Sequence, residues 1–124
     1  MQAELIKNFI AGGAIGENRI VRPGATVGQM VVASAASDKL MGVCCQPGGA
    51  ASGERVDVAL GGLPLLVLGG TVAAGDPITA DANGAGVIAN PAAGTNNRII
   101  GFAYEAGVSG DFIRVRMAPG VMQG

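Results

Sequence analysis

Two runs of alternating residues, each launched by a Ser-Gly-acid turn, constrain this chain more than anything else in it. Ser52-Gly53-Glu54 leads into Val56, Val58 and Leu60 at every second place, and Ser109-Gly110-Asp111 leads into Ile113, Val115 and Met117. A period of two puts those side chains on one face of a strand and sends Arg55, Asp57 and Ala59, or Arg114 and Arg116, to the other. A slip of one residue would invert both faces, so each run commits to β structure with a defined inward side.

The likeness of the two runs extends upstream. Leu40-Met-Gly-Val43 precedes the first and Ile99-Ile-Gly-Phe102 the second, and earlier still Gly28-Gln-Met-Val31-Val-Ala33 resembles Gly75-Asp-Pro-Ile78-Thr-Ala80. Three matched segments in one order predict an internal duplication over residues 24–62 and 69–120, with the Gly61 to Gly70 segment crossing between the halves. Residues 1–22 show no counterpart in the second half and are expected to form an N-terminal arm or an added strand beside a β-barrel-like domain at 23–124. Asn83-Gly84 supplies the positive φ of a tight hairpin between Thr79 and Ile88. No 3.6-residue apolar pattern persists; the best helical stretch, Ala33 to Leu40, carries Ser37 and Asp38 as competing turn formers. The expected fold is a small all-β single domain from two related halves, a β barrel or β-tulip-like form.

A chain of 124 residues is long enough for one modest core. Its interior must be packed by Ala, Val, Ile and Leu, because there are three Phe, one Tyr and no Trp. With only 14% charged residues to cover the surface, part of the apolar exterior is expected to be buried in a homo-oligomer or against a partner. A net charge of −1 with scattered Lys and Arg lacks the basic footprint of nucleic-acid binders. The longest apolar run, Leu63 to Leu68, is far too short to span a bilayer and contains a proline, and the N-terminus lacks the pattern of a secretory signal, so synthesis in the cytoplasm and no membrane partner are expected.

Chemistry is hard to place on these residues. There is no His to act as general base or metal ligand, and the adjacent Cys44 and Cys45 point to opposite faces of a strand, as small buried hydrophobes would. The Gly12-Gly13, Gly48-Gly49 and Gly69-Gly70 pairs lack a P-loop context, and Asp81-Ala-Asn83-Gly84 has its glycine too early for a calcium loop and no closing glutamate. No enzyme, metal or cofactor is therefore expected; an enzyme would require two of the nine acids to converge in a pocket. A biotinyl- or lipoyl-like carrier, or a small-molecule binding β barrel, is the alternative, although Lys7 and Lys39 do not fall at a predicted hairpin tip. Asp57 occupies the place equivalent to Arg114, and with Arg116 these are read either as solvated surface charge or as a subunit contact in which one copy's acidic face meets another's basic face.

With the pattern assembled, the chain resembles the small phage capsid cement, or decoration, proteins encoded beside major capsid proteins. The residues carrying the resemblance are Arg19-Ile-Val-Arg22, Gly24-x-x-Val27-Gly28, Leu40-Met-Gly42-Val43, Gly53-Glu54-x-Val56-x-Val58, Ala74-Gly75-Asp76-Pro77-Ile78, Asp81-x-Asn83-Gly84 and the Gly101 and Gly110-Asp111 strands. The resemblance implies a structural virion protein, commonly a trimer, seated on the capsid exterior against the major capsid protein and stabilising the head. It also implies an N-terminal arm reaching over the capsid protein, which makes Phe9, Ile10, Ile15, Arg19 and Arg22 the candidate capsid contacts.

Overall fold

The computed structural model describes residues 5–124. Strands β1 (Ile6–Ala11), β2 (Ile20–Pro23), β3 (Gln29–Val32), β4 (Gly42–Cys44) and β5 (Arg55–Ala59) close into a barrel in the order β1-β3-β2-β4-β5, with β1 parallel to β3 and antiparallel to β5. Strands β6 (Leu65–Val67), β7 (Pro77–Ala80), β8 (Gly86–Ile88), β9 (Asn96–Ala103) and β10 (Phe112–Gln123) form a sheet in the order β6-β10-β9-β7-β8. Its edges touch through a parallel bridge, Leu68 to Gly86. The second sheet is thus the first barrel over again, β6 for β1 through to β10 for β5.

The duplication holds to the hydrogen bond. Val21 lies opposite Gly42 and Val32, and Ile78 opposite Gly101 and Ile88; Cys44 faces Val58 as Ala103 faces Val115. Outside the strands, the Gly53 N–H donates to the Ala11 carbonyl at 2.7 Å and the Gly110 N–H to that of Leu68 at 2.8 Å. Ile15 and Ala50 exchange N–H donors and carbonyls as Val72 and Gly107 do.

This equivalence redraws the halves. Residues 6–23 do have a counterpart, the segment holding β6 and β7, so Gly61 to Gly70 contains a strand as well as a crossing. Of the arm or added strand expected over residues 1–22, the described part consists of strands: β1 and β2 are staves of the first barrel, paired on both sides. The part of the expected arm at residues 1–4 lies outside the described residues. Gly75-Ala80 matches β2, not the β3 segment it resembles. Both β3 and β7 follow a left-handed glycine, Gly28 (φ 80°) and Gly75 (φ 90°), which makes them look alike, whereas the true partner of Gly75 is Asn18 (φ 62°). Among the described residues there is no helix; at Ala33 to Leu40 the Asp38 carboxylate accepts the Ser34 and Ala35 N–H groups and fixes a turn instead.

Each barrel is filled from matched positions. Phe9, Ala11, Ile15, Val21, Cys44, Val56, Val58 and Leu60 pack the first, and Leu66, Leu68, Val72, Ile78, Ala103, Ile113, Val115 and Met117 pack the second. Volume is traded between neighbours: Ala11 sits opposite Met30, while its equivalent Leu68 sits opposite Gly86, where an added Cβ would lie 2.5 Å from Leu66 Cδ2. Ile20, Ala33, Leu40 and Val43 of the first half join the core of the second, so the outer side of the first barrel packs on the second while its own interior remains a separate cluster. Ile20 and Val43 are each fully buried, worth roughly 1.5–3 kcal/mol per side chain.

Candidate functional site

Among the described residues, three backbone hydrogen bonds stitch the halves: the Arg98 N–H of β9 donates to the Ala36 carbonyl at 2.7 Å, and two more lie at the seam between β6 and β8. The Val67 N–H donates to the Asn18 carbonyl at 2.9 Å, and the Ile20 N–H donates to the Gly84 carbonyl at 2.8 Å. In the first barrel the corresponding seam is closed on itself, the Ile10 N–H donating to the Gly28 carbonyl at 2.9 Å. Residues 18–20 therefore wedge into the second barrel's seam, and the outer face of β2 and β4 covers it.

This geometry decides what the candidate residues can do. Ile15 is 2% exposed, its side chain packed in the core of the first barrel. Phe9 is half-buried against the same core, and Ile10, on the outer side of β1, remains 42% exposed. Arg19 Nη1 donates to the Asn83 carbonyl at 3.0 Å, so it braces the inter-barrel joint, and Arg22 Nε is 3.3 Å from Asp38 Oδ2. The five residues are thereby divided among core, joint and surface.

The charged trio is also resolved. Asp57 lies opposite Asn8 in β1 and Arg114 opposite Leu65 in β6, so the two are equivalent in register. Asp57 Oδ1 accepts from Asn8 Nδ2 at 2.7 Å, and Asn8 Oδ1 accepts from Arg55 Nη1 at 2.6 Å, which makes the first barrel's face a self-satisfied polar network. In the second barrel the same places hold Leu65, Arg114 and Phe112, and Phe112 is 58% exposed. Arg116 is next along the same face of β10, opposite Phe102.

Cys44 is fully buried, and burial pushes its thiol above the ordinary 9.0; the Gln46 backbone pulls it down, while the Glu17 and Asp57 carboxylates push it further up. It packs in the first barrel's core. Among the described residues no group of His, Cys, Asp or Glu is placed to hold a metal ion. Lys7 lies within β1, and Lys39 between a turn and β4, so neither occupies a hairpin tip. What the fold presents is surface: exposed Val27, Ile88, Leu65 and Phe112, of which sequence reading singled out none as a site. Val27 was within reach, standing bare in a turn before Gly28, where an apolar side chain has nothing local to pack on.

Residues 10–117 match the family described as phage cement protein. The chain belongs to that family. Among solved structures, this cement protein is similar to the N base of head fiber gp8.5 of bacteriophage phi29, with a TM-score of 0.69 at 13% identity, covering 98% of this chain and 100% of that one. That likeness is one of fold. No curated protein sequence matches. The family match spans most of both barrels.

Proposed function

We propose that this cement protein is a non-enzymatic structural component of the virion, binding the outer surface of a phage capsid as an oligomer, a trimer in the simplest case, and stabilising the head. The observation that carries the reading is the family match over residues 10–117. Two barrels packed together through buried apolar side chains suit the role, because a cementing protein must transmit load without deforming. The major capsid protein is its partner. Individually weak contacts repeated over a symmetric shell supply the strength through avidity. The chain folds in the host cytoplasm before it meets the shell.

The test uses shells of the encoding phage prepared without decoration. Added chain should co-sediment with them to a saturating ratio and raise the temperature at which they open. Shells that neither retain the chain nor gain stability would overturn the reading.

A further inference from the structure

The barrels of one chain meet through two different surfaces: the outer face of β2 and β4 on the first, and the β6–β8 seam on the second. A contact of this kind is heterologous. It uses one face of each unit and leaves the complementary face of each free, so further units can repeat it until a ring closes. Because the barrels share one fold, the free faces can be named. On the second barrel, Pro77, Phe102 and Ile88 stand where the first has Ile20, Val43 and Val32. On the first barrel, Val27-Gly28 stands where the second has Asn83-Gly84.

The used and unused seats differ in closure, the unused one on the first barrel being shut by the Ile10–Gly28 bond, and in cover. An added Cβ at Gly84 would lie 2.6 Å from Val32 Cγ2 and 3.0 Å from the Ile20 carbonyl oxygen, because the other barrel sits on that turn. At Gly28, with nearly the same φ, it would meet nothing within 4 Å. Val27 beside it is fully exposed, and Ile88, in Val32's place, is 44% exposed. All three residues of the second barrel's free face are apolar, as their counterparts in the buried contact are.

We infer that a second copy of this chain seats its β7–β9 face on the β1–β3 seam of the first, repeating between chains the contact that joins the barrels within one. The inference rests on the oligomeric reading above and gives it an interface and a direction. Pro77 accounts for one difference between the two contacts. Within the chain the Ile20 N–H reaches the Gly84 carbonyl, but Pro77 has no N–H to offer. The Gly28 carbonyl keeps its bond from Ile10, and the first barrel stays shut. Copies then join through apolar side chains, whereas the barrels of one chain also share backbone hydrogen bonds.

The test is the mass of the full chain by light scattering across micromolar concentrations, with Ile88→Asp on one face and Val27→Lys on the other. The native chain should form a discrete oligomer. Each single variant should weaken association about ten-fold or more, since each buries an unpaired charge, and the double variant should regain it by pairing the two. Circular dichroism checks folding; if Ile88→Asp does not fold, Val27→Lys, at a fully exposed site, carries the test alone. A native chain that stays monomeric overturns the oligomeric reading together with this interface. An oligomer whose mass neither variant alters overturns the interface alone, as do variants that keep their mass but lose undecorated shells, which would give the face to the capsid protein.

Discussion

Asn18 and Gly75 do the same job in the two barrels. Each has positive φ, 62° and 90°, and each donates its N–H across the turn, to the Cys44 carbonyl at 2.8 Å and the Ala103 carbonyl at 2.7 Å. Asn tolerates the left-handed region better than any residue with a longer or branched side chain, though less well than Gly. Asn18→Gly should leave stability within about 0.5 kcal/mol of native, while Asn18→Val should lower it by about 1–2 kcal/mol. Urea denaturation of both variants checks the ordering, and equal loss in the two would count against a conformational cause.

Gly28 and Gly84 form an internal control. Their φ values are 80° and 76°, so an alanine pays the same backbone cost in either place, about 1 kcal/mol. Only Gly84 lies against the other barrel, with its added Cβ 2.6 Å from Val32. Gly84→Ala should therefore cost at least about 2 kcal/mol more than Gly28→Ala, overpacking being added to strain. The comparison is made by chemical denaturation at concentrations below association.

The β character, the two related halves and the inward residues of β5 and β10 were all legible in the sequence, because alternation between Gly turns survives any rearrangement around it. The true phase of the repeat was not. Asn18 hides the left-handed turn that Gly75 advertises, and Pro77 replaces Ile20, so the matching strands β2 and β7 share little on paper. The first 22 residues looked to have no counterpart for the same reason. Strand pairing between residues 6–11 and 55–59 is a long-range choice that no local pattern encodes. Ile15 stands among glycines in the sequence, and its burial depends on Ala50, far along the chain.

The interior trade between Ala11–Met30 and Leu68–Gly86 predicts a specific non-additivity. In the first barrel, Ala11→Leu alone should overpack by about 1–3 kcal/mol, and Met30→Gly alone should open a cavity costing about 2–5 kcal/mol. The double variant reproduces the pairing already present in the second barrel, at the same parallel bridge. It should be more stable than the sum of the singles implies by at least about 1 kcal/mol. A double-mutant cycle measured by thermal and urea unfolding checks this, and strict additivity would mean that the two positions do not share one space.

Cys44 gives the fold an alkaline limit. Its thiol is fully buried, and desolvation raises its pKa above 9.0, with Glu17 and Asp57 adding to the shift. The folded state thus holds the proton more tightly than the unfolded chain, whose thiol ionises near pH ~8.5. Below that pH both states are protonated and the stabilisation is fully present; as pH rises from the unfolded pKa through the folded one, ionisation favours the unfolded chain and stability falls. Cys44→Ala places in the first barrel the residue that Ala103 already provides in the second, and it should flatten the alkaline decline while lowering neutral stability by about 1 kcal/mol for the lost volume. Melting curves from pH 7 to 10 on both proteins check the sign, and an identical alkaline slope in the variant would clear Cys44 of the effect.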